Sequence, residues 1–191
     1  MILPIVAYGD PVLKKEGKEV TRDQEGLSDL IDNMFETMYA ASGVGLAAPQ
    51  IGRSLKLFII DANPFGDEEE SLKDFKKVFI NPVILQEEGE EWTFNEGCLS
   101  FPDLRLDVDR KDKLHIRYQN EHFETFEEEY EGLAARIIQH EYDHVYGVVF
   151  TDRISALRKR MVKGKLSNIS KGKVKAEYKM RVYTGNSYSY L

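Results

Sequence analysis

Along the chain, Leu27, Leu30, Ile31, Met34, Phe35 and Met38 recur at three- and four-residue intervals. That spacing gathers side chains on one helical face and predicts a helix from Asp23 to about Ala41, closed by Ser42-Gly43. Leu55–Asp61 is apolar and branched and predicts a strand. Asp61 to Asp74 carries Pro64, Gly66 and the acidic run Asp67-Glu68-Glu69-Glu70, which predicts a mobile, solvated loop. Lys77 to Leu85 predicts a strand bent at Asn81-Pro82, Glu87 to Glu91 a turn, and Trp92-Thr93-Phe94 a further strand. Leu104 to Val108 and Lys113 to Tyr118 read as strands separated by Asp109-Arg110-Lys111-Asp112. Phe123 to Tyr130 alternates apolar and acidic residues, the mark of a half-exposed strand. Gly132 then opens a helix through Leu133-Ala134-Ala135-Arg136-Ile137-Ile138, good helix formers without proline. Val148 to Phe150 predicts a short strand, Arg153 to about Lys165 a basic helix, and 166–191, with four tyrosines, irregular or β-like structure.

Composition narrows the class. A chain of 191 residues, 42% hydrophobic and 31% charged, fits one globular, soluble domain with a proper core. A single cysteine excludes an internal disulfide framework and fits a reducing compartment. Met1–Ala7 offers neither a basic leader nor a long apolar segment, so secretion, organelle import and membrane insertion are not expected, and a bacterial-type cytoplasmic location is. The net charge of −7 conceals an asymmetry: eleven of the 26 Lys/Arg, but only Glu177 of the 33 acids, lie from Arg153 onward. A basic tail on an acidic body suggests an anionic partner, unless it is simply a solvated extension.

The candidate chemistry begins at the end of the second helix, Gln139-His140-Glu141-Tyr142-Asp143-His144, which reads H-E-x-x-H. Residues four apart lie on one helical face, so His140 and His144 can aim at one divalent ion, with Glu141 within reach of a water on it. The plain alternative is an amphipathic helix with two surface histidines. A catalytic site of this kind takes three protein ligands and keeps a position for water. Protease versions find the third ligand downstream, but the required histidine position holds Phe150, and the only downstream Glu is Glu177 in the tail. Upstream stands Cys98, in Asn95-Glu96-Gly97-Cys98-Leu99-Ser100. A lone cysteine is often just a buried apolar residue, but here glycine precedes it and Pro102 marks a turn soon after. A Cys-His-His set would supply one thiolate, two imidazoles and an open position.

Glu96-Gly97-Cys98-Leu99-Ser100 and the H-E-x-x-H segment, with Gly43-Val44-Gly45-Leu46-Ala47-Ala48-Pro49-Gln50 upstream, resemble the three signature motifs of peptide deformylases, in the family's order. The resemblance runs from about Asp10 to about Lys165, with Val145 where the family usually has Leu. It implies an α+β fold with mixed and antiparallel β-sheets around a central helix carrying His140-Glu141-Tyr142-Asp143-His144, an N-terminal helix, and a C-terminal helix or extension. Residues 1–165 would form one catalytic metallohydrolase domain and 166–191 a basic, polar extension. The implied activity is removal of the formyl group from N-formylmethionyl nascent peptides, releasing formate. One divalent metal per chain would be held by Cys98, His140 and His144; the family is associated with Fe2+, with Zn2+, Ni2+ or Co2+ able to substitute. Glu141 would act as general base and acid, while the Gln50 amide and the Leu99 backbone N–H stabilise the oxyanion. Val44 and Gly45 lie in the first motif, whose small residues leave room for an extended ligand, and the resemblance makes Gly45 a backbone partner of the substrate. Leu133 and Ile137 share the ligand face of the helix and are candidate walls for the methionine side chain. Arg136 shares that face too, at the pocket edge or paired with an acid. Neither membrane nor DNA is an expected partner; the basic tail could dock on the ribosome. The competing readings are an H-E-x-x-H metallopeptidase and a non-catalytic module with a structural metal.

Overall fold

The computed structural model describes Met1–Leu191. In chain order the elements are β1 (Ile5–Val6), α1 (Leu27–Ala40), β2 (Gly45–Ala47), β3 (Leu57–Asp61), β4 (Lys76–Gly97), β5 (Arg105–Gln119), β6 (Thr125–Glu131), α2 (Gly132–Val145), α3 (Ala156–Met161), α4 (Lys163–Ser170), β7 (Met180–Tyr183) and β8 (Tyr188–Tyr190). Five strands form an antiparallel sheet in the order β2-β3-β4-β5-β6. A three-stranded sheet, β1-β7-β8, is mixed, because β7 runs parallel to β1 and antiparallel to β8. The architecture is therefore α+β, with mixed and antiparallel sheets.

Strand β3 separates two cores, and its alternation shows how. Leu57 and Ile59 face the larger cluster with α1, β1 and the C-terminal segment. Phe58 and Ile60 face the smaller one, with Ala134, Ala135 and Ile138 of α2. Successive strand side chains point to opposite faces, so one apolar strand serves both cores. Helix α2 is buried along most of its length, and its last two turns end where β2 and the turn after β4 come together.

Several expected boundaries move. Helix α1 starts at Leu27 rather than Asp23, because Gly26 takes a left-handed φ of 70° just before it. The segment before β4 is no plain loop: short 3-10 turns at Asn63–Phe65 and Glu70–Leu72 pin it down, and Leu72 is fully buried. Glu87–Glu91 does not turn the chain. Strand β4 runs unbroken from Lys76 to Gly97, and three register shifts against β5 absorb the irregularity. In the register Glu88 stands opposite Lys113 and Glu91 opposite Lys111, so no like charges are set directly across from each other there. Asp109–Asp112 likewise separates nothing, since β5 continues through it with Arg110 turned inward and buried. Val148–Phe150 forms no strand; Phe150–Asp152 is a 3-10 turn. The basic helix divides at Val162 into α3 and α4.

Beyond residue 165 the chain packs onto the body. Leu166, Ile169, Met180 and Val182 belong to the larger core together with Ile5 and Val6. Ile5 N–H donates to Lys179 O and Ala7 N–H to Arg181 O, each at 2.9 Å, which ties the two ends of the chain together.

Candidate metal centre

Two elements bring the candidate ligands together. Helix α2 carries His140 and His144 one turn apart, with ring centroids 5.1 Å from each other. The turn that follows β4 carries Cys98, whose Sγ lies 3.3 Å from Nε2 of His144. One ligand atom from each of Cys98, His140 and His144 falls within 4.8 Å of the others. A tetrahedral ion with bonds of about 2.0–2.3 Å needs donors roughly 3.5 Å apart, so small adjustments suffice. Thiolate and imidazole are donors suited to zinc and iron alike. Phe150, at the protease-type third position, is buried and packs its ring 4.9 Å from Phe101 and 5.9 Å from His140. Glu177 is exposed in the tail.

Charged groups behind the candidate ligands fix one of them. Glu96 is buried, and its Oε2 sits 2.8 Å from Nδ1 of His140, leaving Nε2 of that ring for a metal. Arg110 donates to both oxygens of Glu96, at 2.7 and 3.1 Å, and at 2.8 Å to Asp143. Arg136 donates at 2.9 Å to Glu96 and also to the carbonyls of Val108 and Trp92, with its guanidinium 4.5 Å from the Trp92 ring centroid. Arg136 therefore pairs with an acid and also lines the cleft. Burial raises the Glu96 carboxyl, but His140 and Arg110 outweigh it and hold the group well below the usual carboxylate range. Burial disfavours charge on His140, yet Cys98 and Glu96 raise it well above the ordinary histidine value. His144 is pushed well below that value by burial and by His140.

Glu141 is the exception among these buried acids. Its Oε2 is buried without a hydrogen-bond partner, and burial pushes its carboxyl up to about 7. The carboxylate lies against Gly45, where an added Cβ would come within 2.5 Å of Oε1, so any larger residue there would push the Glu141 side chain aside. Gln50 is oriented by its own turn: Oε1 accepts from Ala47 N–H at 2.9 Å, which aims Nε2 at Cys98 Sγ, 3.6 Å away, and at Ser100 Oγ, 3.4 Å away. The Leu99 N–H has no acceptor in the protein.

Strand β2 is an edge of its sheet. Asp61 N–H donates to Val44 O at 2.9 Å, and Gly45 faces Ile60 in register. Pairs alternate in an antiparallel ladder, so the peptide groups of Gly45 point away from β3 toward the open edge. A cleft of about 530 Å³ runs along this edge, lined by Val44, Gly45, Gln50, Cys98, Leu99, Leu133, Ile137, His140 and Glu141 among others. His144 lies behind it, fully buried.

Glu96, Arg110, Arg136 and Asp143 form a supporting network for which spacing alone gives little warning. Glu96 stands inside a motif, and Arg136 lies one turn before His140. Arg110 carries no local signal, since it sits in a charged run that reads as a break.

The same motifs match known proteins. A model of the polypeptide deformylase family matches residues 2–160. A peptide deformylase of Christiangramia forsetii is 57% identical over 188 residues, covering 95% of this chain and 96% of its own. One of Flavobacterium psychrophilum is 54% identical over 189 residues, covering 95% and 97%. The solved peptide deformylase of Legionella pneumophila superposes with a TM-score of 0.78 at 40% identity, covering 91% of this chain and 98% of that one. Likeness on this scale reaches well past the three motifs into the sheets that carry them, and the chain belongs to the peptide deformylase family.

Proposed function

We propose that the cleft beside β2 removes the formyl group from N-formylmethionyl peptides of nascent proteins, releasing formate. The observation that carries this reading is the convergence of Cys98, His140 and His144 next to a buried, unpartnered Glu141 and an open strand edge.

The donor set fits one divalent ion, held by Cys98 Sγ and a ring nitrogen of each histidine. Such an ion supplies a Lewis acid and brings the pKa of a coordinated water toward neutrality. Glu141, through Oε2, takes the proton from the attacking water and delivers it to the amine as the C–N bond breaks. A carboxyl near pH 7 suits both halves of that exchange. The Gln50 amide, already aimed at Cys98, and the free Leu99 N–H receive the negative oxygen of the tetrahedral intermediate; one such donor is worth roughly 3 kcal/mol of barrier. The Gly45 peptide pairs with the substrate backbone as an added strand. Val44, Leu133 and Ile137 enclose the methionine side chain.

Fe2+ is the proposed native ion, with Zn2+, Ni2+ and Co2+ as substitutes, on the strength of the family resemblance and the mixed sulfur and nitrogen donors. The catalytic residues all fall within 1–165, with 166–191 as the basic C-terminal part. Docking on the ribosome is proposed for the basic stretch from Arg153 onward, where Arg160, Lys163, Lys165 and Lys171 are exposed. A cytoplasmic location is proposed with it; no helix is long and apolar enough to cross a membrane.

The test compares formyl-Met-Ala-Ser with the same peptide unformylated. Formate from the first and no cleavage of the second supports the proposal. Cleavage of internal bonds in the unformylated peptide would favour a metallopeptidase instead.

A further inference from the structure

The turn Cys98–Ser100 is held by its carbonyls. Cys98 O accepts from Phe101 N–H at 2.8 Å, and Ser100 O accepts from Tyr8 N–H at 2.9 Å, just past β1. Between them, Leu99 O accepts from the Tyr178 hydroxyl at 2.7 Å. Only this last bond comes from a side chain, and it reaches the turn from far away in sequence. Its source is fixed by the C-terminal sheet: Met180 pairs with Ile5 in the parallel register of β7 on β1, and Tyr178 stands two residues before it. The ring also forms part of the cleft wall beside Leu99 and Leu104. Gly43 closes the turn from the other side, since an added Cβ there would come within 2.8 Å of the Leu99 side chain.

We propose that Tyr178 is a positioning residue for the reaction: by donating to Leu99 O it fixes the turn whose next group back, the Leu99 N–H, receives the oxyanion. The inference rests on the donor role of Leu99 given above. It assigns a function to the C-terminal segment within the site itself. The turn has no regular secondary structure to fix its peptide planes, so a displacement that a strand would resist is open to it once one carbonyl is released. Donor geometry matters most at the transition state, so the effect falls on kcat rather than on KM.

The test is Tyr178→Phe, which removes one hydroxyl and keeps the ring. Three quantities are read: kcat and KM on formyl-Met-Ala, the midpoint of thermal unfolding with metal content, and amide hydrogen exchange at Phe101 and Tyr8, whose N–H groups bond the carbonyls of the turn. The expected result is a loss of about five- to tenfold in kcat, the net worth of about one hydrogen bond. KM should stay within twofold, unfolding and metal content should be unchanged, and exchange at the turn should be faster. An unchanged kcat overturns the proposal, whatever exchange does. So does a fall in kcat that comes with lost metal or a lowered midpoint, because Tyr178 is then only a strap. A protein that exchanges faster at the turn in Tyr178→Phe, but whose parent releases no formate, upholds the clamp and overturns the deformylase reading instead. Tyr178→Leu should reproduce the kcat loss of Tyr178→Phe if the hydroxyl is what matters; a far larger loss, with raised KM, assigns the ring a substrate contact and overturns the positioning role.

Discussion

Two sets of paired charges hang on strand β5, and they differ chiefly in water. On one side Arg110 joins Glu96 and Asp143, and Arg136 joins Glu96, with side chains 2–5% exposed. At the far end of the same strand Lys113 and Arg117 meet Glu131 and Glu127 across β6, with side chains 46–77% exposed. The buried contacts are the shorter, 2.7–2.9 Å against 3.0–3.6 Å. A few tenths of an ångström change the Coulomb energy little, so the surroundings set the difference. Coulomb attraction is damped by water at the exposed end, whereas the buried set has already lost its hydration and depends on every partner. The buried set also touches a proposed ligand, His140, and the exposed set touches nothing of the site.

The comparison breaks first at Glu96. Glu96→Ala leaves Arg110, Arg136 and His140 Nδ1 without their shared acid, and should lower unfolding stability in urea by about 3–5 kcal/mol with loss of metal. A loss under about 1 kcal/mol would put the buried network on the same footing as the exposed one. Glu141 sharpens the contrast, because it is buried without any partner. Glu141→Gln should keep the metal and the fold yet lower turnover by about 10³-fold, near 4 kcal/mol of barrier. Retained turnover would end the general-base role.

The same residue gives a pH dependence in the metal-free protein. Its carboxyl is pushed from 4.5 to about 7 by burial. Between those values the unfolded chain has released a proton that the folded chain still holds, so stability falls as pH rises through the window, by about 3 kcal/mol in total. Subtracting the profile of Glu141→Gln should isolate that fall; parallel profiles would show the group to be solvated. Smallest of all is Arg117→Ala at the exposed end. It should change stability by under about 1 kcal/mol, and less still in 1 M salt. A larger, salt-resistant effect there would dissolve the distinction between the two sets.

What the sequence disclosed follows the reach of each interaction. The apolar face of α1 and the run in β3 are local patterns, and both elements form close to where the pattern puts them. His140 and His144 are set by one helical turn, so their common face was legible. Cys98 was legible only through its motif, since its distance to the histidines depends on how β4 and α2 pack. Arg110 misled, because an inward charge inside a strand imitates a loop until its two acids are seen. The ribbon at Glu87–Glu91 misled for the converse reason: exposed acids resemble a turn, and the backbone pairing with β5 that carries the strand through is not written in the local sequence. Pairing of β7 with β1 joins the two ends of the chain, and no local pattern announces such a contact. Tyr178 was hidden with it.

Everything proposed for the site requires that a thiolate and two imidazoles hold a working ion beside a free carboxylate. The decisive experiment is anaerobic purification, metal quantification and a formate-release assay on one preparation. The expected result is one divalent ion per chain, formate from a formyl-Met peptide, and loss of both on treatment with a chelator. Formate release that survives removal of the ion, or a fully loaded protein that releases none, would contradict it.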